Sequence, residues 1–310
     1  MSTAAADVPL TGKDAAELLD AYGLTLHRAR LLPGGMENVH LKAQTGSGTV
    51  VVTVLNKKTP AQAEEYARFL RHLELAGIPT PRLRPLRDGG WVTRHGARPV
   101  IVCDFVDGRS PARLPARLVH EAGFLLGRVH RTAAAGFDSA LRPHLRLHDD
   151  DADTLASLPA GPFARWARST WHAVGHVPEH DAPLVPVHGD LFPDNIVVRS
   201  RSRGLVILDW EDGSLDLPHL DVGMALLGLC GRRGFSPRRA RHLLAGYRQG
   251  SGAALNGDLV RDAALYAAVL VALRRHRWQQ EHRRLPAGRS AAAMHHLATS
   301  LADRWPRLRP

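Results

Sequence analysis

The fold prediction depends on two neighbouring stretches: residues 184–198, Leu-Val-Pro-Val-His-Gly-Asp-Leu-Phe-Pro-Asp-Asn-Ile-Val-Val, and residues 205–212, Leu-Val-Ile-Leu-Asp-Trp-Glu-Asp. Short β-branched runs bounded by turn residues predict strands, here Ile196–Arg199 and Leu205–Leu208. A polar loop, His188–Asn195, precedes the first strand. We therefore expect this loop and the end of the second strand to lie side by side.

Three polar side chains at these strand ends, Asp190, Asn195 and Asp209, are expected to share one pocket. Two carboxylates and an amide oxygen suit Mg²⁺, which prefers hard oxygen donors and keeps waters and substrate phosphates among its ligands. Asp and Asn also commonly cap turns, so any one of these residues alone favours a structural role. All three in this order, between two apolar strands, indicate a metal-assisted active site.

The motif His188-Gly-Asp190-x4-Asn195, followed about fourteen residues later by Asp209, resembles the catalytic core of the aminoglycoside phosphotransferase, choline kinase and homoserine kinase superfamily. It is also similar, more distantly, to the catalytic loop of protein kinases. The resemblance implies an α+β, two-lobed protein-kinase-like fold. An N-terminal lobe would hold an antiparallel sheet with one long helix, and the C-terminal lobe would be mainly helical.

The same resemblance implies an ATP-dependent kinase that phosphorylates a small-molecule hydroxyl. Asp190 would be catalytic, orienting the hydroxyl and accepting its proton, while Asn195 and Asp209 would hold Mg²⁺ on the ATP phosphates. His188 would brace the loop through hydrogen bonds, and Asp221 would be structural. His130, in a helix expected to pack under the loop, would also be structural.

The predicted N-terminal lobe comprises residues 1–107, with a hinge at about 101–107, and the catalytic and substrate-binding lobe comprises residues 108–310. An N-terminal helix capped by Thr11, a three-stranded meander and a helix that begins after the N-cap Thr59 are expected in the first lobe. Backbone groups of its hinge, at Val102 and Asp104, would bind adenine by family resemblance.

The turn containing Gly34 and Gly35, followed by Asn38, resembles the loop that covers the ATP phosphates in the family. Glycine allows backbone N–H groups to approach phosphate oxygens closely, and Asn38 can add a donor. A two-glycine turn is also the ordinary connection of a plain hairpin, and both interpretations stay open.

The strand 50–55 departs from the kinase pattern, because Thr53 stands where a phosphate-binding lysine or arginine is expected. Glu64 or Glu65 on the following helix can meet one of the nearby lysines, or both can be exposed carboxylates. The missing lysine keeps open a non-catalytic, nucleotide-binding pseudokinase.

A net charge of +11 raises the alternative of a nucleic-acid-binding protein. Most of the basic residues are arginines in an alanine-rich chain, which indicates a compositional bias, and we expect no nucleic-acid partner. The densest clusters, 232–241 and 274–284, are interpreted as solvated helix faces.

The sequence predicts a cytoplasmic protein without membrane contact. Its two cysteines lie within apolar runs, no signal peptide is visible, and no apolar run reaches about 20 residues. The oligomeric state is left open.

The sequence indicates two classes of acceptor. Acidic residues at 149–153 and 211–216 favour a polycationic aminoglycoside or aminocyclitol, and hence antibiotic resistance or specialised metabolism. The same acids can instead cap helices or be solvated. The strand 50–55 and the segment 77–81 resemble homoserine kinases, so phosphorylation of an amino alcohol such as homoserine is the alternative.

Overall fold

The computed structural model describes residues 11–32, 38–134, 143–200, 204–231, 234–282 and 289–308. The chain divides into two compact units, Met1–Asp107 and Gly108–Pro310. No helix within the described ranges combines the length and the hydropathy that crossing a membrane requires.

A five-stranded antiparallel sheet with the order β1-β2-β3-β5-β4 forms the body of the first unit. Its central strands are in register with Val52 opposite both Leu41 and Val102, and one face of these β-branched strands is buried. The strands are β1 Leu26–Leu31, β2 Val39–Thr45, β3 Gly48–Val54, β4 Thr93–His95 and β5 Arg98–Asp104.

Two helices accompany this sheet, and both begin at the predicted caps. Helix α1, Gly12–Ala21, starts with a capping box between Thr11 and Asp14. Helix α2, Pro60–Leu75, starts with Thr59 accepting from Gln62 N, and proline occupies its first turn. The sequence signals for these helix starts are therefore confirmed.

The second unit is mainly helical, with short strand pairs at its functional end. Helix α6 is buried at almost every position, which explains why its sequence is apolar on all sides. The elements are β6 Gly108–Arg109, α3 Ala116–His130, α4 Asp149–Ser157, α5 Pro162–Val174, β7 Val185–Val187, β8 Ile196–Arg199, β9 Leu205–Ile207, β10 Ser214–Asp216, α6 Pro218–Cys230, α7 Pro237–Ser251, α8 Gly257–His282 and α9 Ala291–Arg304.

Helices α3 and α7 touch through their backbones. A Cβ atom added at Gly246 would lie 1.9 Å from the His120 carbonyl oxygen, and one at Gly123 would lie 2.1 Å from the Leu243 carbonyl oxygen. Gly127 and Gly250 make equally close approaches, so glycine is required on both helices at this contact.

The interpretation of the basic clusters as solvated helix faces is wrong for several arginines. Arg239 is buried and donates to the carbonyl oxygens of Leu229 and Leu114. Arg274 lies 2.9 Å from the carboxylate of buried Asp151. These side chains hold helices together, a role that a charge count along the sequence does not reveal.

Candidate active site

Strand pairing brings the two halves of the motif together. Residues Pro193–Asn195 form a short 3-10 helix that runs directly into β8. Ile196 pairs with Ile207 of β9, and the Leu208 amide donates to the Asn195 carbonyl oxygen at 2.8 Å. Asn195 and the residues after β9 are therefore neighbours, as the sequence predicted.

Asn195 is bonded directly to Asp190. Its buried side-chain nitrogen Nδ2 donates to the Asp190 carbonyl oxygen at 2.8 Å and to Asp190 Oδ2 at 3.2 Å. The amide therefore fixes the orientation of the carboxylate and leaves Asn195 Oδ1 as the atom suited to ligate a cation.

Asp209 follows β9 in a left-handed backbone conformation, with φ of +55°. This region is strained for a residue with a side chain, and Asp and Asn tolerate it better than most. Trp210, the next residue, is fully buried and donates from Nε1 to the Ile207 carbonyl oxygen. The turn thus anchors an indole in the core and leaves the Asp209 carboxylate exposed.

His188 links the catalytic loop to this turn. Its Nδ1 accepts from the Asp190 amide at 3.2 Å, and its Nε2 donates to the Leu208 carbonyl oxygen at 2.9 Å. The ring also packs against Trp210, with centroids 4.6 Å apart. The predicted bracing role of His188 is confirmed by these contacts.

Asp221, in the first turn of α6, supports the loop from below. Its carboxylate accepts from the His188 and Gly189 amides at 2.8 and 2.9 Å. His130 Nε2 donates to the same carboxylate at 3.0 Å, and His130 Nδ1 is hydrogen-bonded to the Tyr247 hydroxyl at 2.9 Å. Asp221 and His130 are both buried and structural, as predicted.

The opposing effects of burial and hydrogen bonding set the charge of Asp221. Burial acts to raise the pKa of this carboxyl group, but the hydrogen bond and charge of His130 outweigh it and hold the pKa below its ordinary value. The carboxylate therefore stays ionised beneath the loop.

Asp190 has the opposite shift. Burial and the neighbouring Asp212 and Asp209 carboxylates raise the pKa of Asp190 to about 6, against the opposing effects of His144 and His188. A carboxyl group with this pKa is mostly ionised at neutral pH and is a stronger base than an ordinary aspartate, which suits proton acceptance.

The donor set at Asn195 and Asp209 fits Mg²⁺. No cluster of three or more His, Cys, Asp or Glu that could hold a metal occurs in the part of the chain that the structure describes. One carboxylate and one amide oxygen suit a cation that keeps several waters and takes its remaining ligands from substrate phosphates.

Two of the acidic residues that were candidates for binding a cationic substrate are engaged within the second unit. Asp151 closes the capping box of α4 and pairs with Arg274 and Arg277. Asp216 is buried and pairs with Arg146. These contacts favour a structural role for Asp151 and Asp216.

The nucleotide-binding groups predicted in the first unit have internal partners. Gly34 and Gly35 lie outside the described residues. Asn38 Oδ1 accepts from the Asn56 amide at 2.9 Å. The Val102 carbonyl oxygen accepts from the Arg84 amide, and the Asp104 amide donates to the Arg82 carbonyl oxygen, each at 2.8 Å. Those two backbone groups are therefore already bonded, which the sequence did not indicate.

The position of the missing strand lysine is occupied by a polar pair. Thr53 is buried, and its Oγ1 lies 3.1 Å from Nδ1 of His40 on the neighbouring strand. Glu65 is fully buried and pairs with Arg68, whereas Glu64 is exposed. The alternative of two exposed helix carboxylates is therefore wrong for Glu65.

Two residues near the loop were not found from the sequence. His144 Nδ1 lies 3.0 Å from the Asp212 carboxylate, and Arg275 packs over the ring of Phe192. Neither has a fixed spacing to the motif, so only tertiary structure relates them to Asp190.

An antiparallel sheet with one long helix, followed by a mainly helical unit, defines a protein-kinase-like fold. A spectinomycin phosphotransferase in complex with ADP and spectinomycin has a TM-score of 0.65, 15% identity and 94% coverage of both chains. Choline kinase from Streptococcus pneumoniae has a TM-score of 0.64 and 14% identity, covering 94% of this chain and 99% of its own. The predicted fold is confirmed.

The model of the phosphotransferase enzyme family matches residues 28–257, and the chain belongs to that family. Homoserine kinase from Rhodospirillum rubrum is 29% identical over 247 residues, which are 76% of each chain. The protein is therefore an ATP-dependent phosphotransferase, and that prediction is confirmed.

Proposed function

We propose that this protein transfers the γ-phosphate of ATP to the hydroxyl of a small hydroxy amino acid of the homoserine type. One observation supports the reaction above all. Asn195 Nδ2 donates hydrogen bonds to Asp190, so the proposed base and the proposed metal-binding amide are held together. The similarity to homoserine kinase from Rhodospirillum rubrum supports the acceptor class.

Asp190 orients the acceptor hydroxyl and takes its proton as the bond to phosphorus forms. Asn195 Oδ1 and the Asp209 carboxylate would hold Mg²⁺. When bound, this ion neutralises charge on the ATP phosphates. His188 and Asp221 keep the loop rigid, which preserves the alignment of base and hydroxyl. Gly34, Gly35, Asn38, Val102 and Asp104 are proposed to bind the nucleotide, the last two through backbone groups not engaged by Arg82 and Arg84.

The engagement of Asp151 and Asp216 by arginines is the reason for placing a hydroxy amino acid ahead of an aminoglycoside. An aminocyclitol or aminoglycoside is the second candidate. It is favoured by Asp212, whose side chain is 40% exposed and whose charge raises the pKa of Asp190. A carboxylate at that place fits an ammonium group of the acceptor.

ADP release from Mg·ATP tests the reaction, with homoserine, choline, methylthioribose, aminocyclitols and aminoglycosides as acceptors. Acceptor-stimulated release is expected with homoserine and is expected to be lost in the isosteric Asp190→Asn variant, which retains ATP binding. Near-normal turnover by that variant would remove Asp190 from its role. Asp209→Ala is expected to weaken nucleotide binding at limiting Mg²⁺, and an unchanged affinity would contradict the metal assignment.

A further inference from the structure

Arg275 of α8 differs from the arginines beside it. Arg274 and Arg277 both pair with Asp151. Arg275 is half-buried, yet its guanidinium makes no hydrogen bond or ion pair with any residue in the described ranges. The adjoining segment 282–288 contains no acidic residue. A partly buried guanidinium without an anionic partner is costly, so the site favours an anionic ligand.

The position of Arg275 relates it to the catalytic loop. Its Cζ atom lies 5.8 Å from the ring centroid of Phe192, which stands two residues after Asp190. Stacking of a guanidinium on an aromatic face restricts its position. Arg289, also near the loop, is already paired with Asp194.

The electrostatic environment agrees with this placement. Burial and the charge of Arg289 lower the pKa of Arg275 to about 10, while the charges of Asp190 and Asp194 act in the opposite direction. Arg275 therefore keeps its charge at neutral pH and lies within electrostatic range of Asp190.

We propose that Arg275 binds a carboxylate of the acceptor while the acceptor hydroxyl lies at Asp190. This inference rests on the proposed function and adds the residue that selects the acceptor. A guanidinium can bind a carboxylate through two parallel hydrogen bonds, which a lysine ammonium does not reproduce. Arg275 thus favours hydroxy acids and zwitterions over amino alcohols without an anionic group.

Three probes separate the charges of the acceptor: 4-hydroxybutyrate has only the carboxylate, L-homoserine has both charges, and 3-amino-1-propanol has only the ammonium. Binding to the full chain saturated with Mg·AMP-PNP is measured by calorimetry, and turnover is measured in parallel with Mg·ATP. The variants are Arg275→Gln, Arg275→Lys and the control Arg277→Gln, which removes an arginine from the same helix outside the site.

We expect Arg275→Gln to weaken binding of both carboxylate probes about 10- to 100-fold and to leave 3-amino-1-propanol unchanged. Arg275→Lys is expected to recover part of the loss, and Arg277→Gln to behave as wild type. The KM for ATP should not change.

Equal binding of the carboxylate probes by wild type and Arg275→Gln overturns the inference, even where homoserine is turned over. A raised KM for ATP with a lowered kcat also overturns it, because Arg275 would then act on the phosphates. Binding of 4-hydroxybutyrate that depends on Arg275, without turnover of homoserine, supports the inference and rejects homoserine as the substrate.

Discussion

The catalytic loop of the second unit and the predicted nucleotide-binding groups of the first unit differ in what their polar atoms contact. In the loop, His188, Asp190 and Asn195 are joined by hydrogen bonds that leave the Asp190 carboxylate and Asn195 Oδ1 for ligands. In the first unit, one backbone group each of Val102 and Asp104 is hydrogen-bonded to the segment 82–84. Side chains that act together within one short loop are thus easier to predict than backbone groups whose partners lie elsewhere.

Removing the Asp221 carboxylate should have the largest effect, because three buried donors lose their acceptor. Asp221→Ala is expected to lower the free energy of unfolding by roughly 3–5 kcal/mol. Urea denaturation measures this loss, with exposed Asp150→Ala as the control. A loss no larger than that of the control would show that the loop does not depend on buried support.

Gly246→Ala should cause the next largest loss of stability. The new methyl group would meet the His120 carbonyl oxygen and force α3 and α7 apart, at a cost of roughly 3 kcal/mol. Because Tyr247 adjoins this contact, turnover should fall as well. In Gly257→Ala the added Cβ meets no atom within 4 Å, and its melting temperature is expected to stay near that of wild type. Similar melting temperatures for both variants would contradict the close helix contact.

Lowering the pH should reduce the stability of the second unit through protonation of Asp151. Burial acts to raise the pKa of Asp151, but hydrogen bonds and charge from Arg274 hold it below 3.8. The unfolded state therefore binds this proton first, so the stabilisation is present above pH 3.8 and is lost as pH falls through the folded-state pKa.

Comparison of wild type with Asp151→Asn isolates this group, because all other titrations are shared. A difference in unfolding free energy of about 2 kcal/mol at neutral pH is expected, shrinking below pH 3.8. A difference that stays constant across that range would exclude the ion pair as its source.

The smallest effect is expected in the first unit. Asn38→Ala removes the acceptor of the Asn56 amide and should cost about 1 kcal/mol of stability. Its KM for ATP then distinguishes the two regions. A severalfold rise in the KM for ATP, with stability preserved, would make Asn38 a nucleotide contact, so that a side chain of the first unit would bind a ligand as those of the catalytic loop do. An unchanged KM would give Asn38 a structural role only.

Local sequence signals predicted the helix starts at Thr11 and Thr59 and the strand Ile196–Arg199, because caps and apolar runs act over a few residues. The motif predicted that Asp190 and Asn195 would meet, since only four residues separate them in one loop.

The contacts that escaped prediction join distant parts of the chain. Arg274 pairs with Asp151, 123 residues earlier, so its charge looked solvated in the sequence. The Val102 carbonyl and the Arg84 amide meet through an irregular segment without strand periodicity. Pairing of this kind depends on the whole fold and leaves no periodic pattern to detect.

The left-handed backbone at Asp209 has a consequence for evolution. Glycine adopts that conformation without strain, so it can relieve a folding cost that the aspartate imposes. A library randomised at position 209 and selected only for folding should therefore enrich glycine. Selection for turnover should bring aspartate back, so this one backbone angle sets stability and activity against each other.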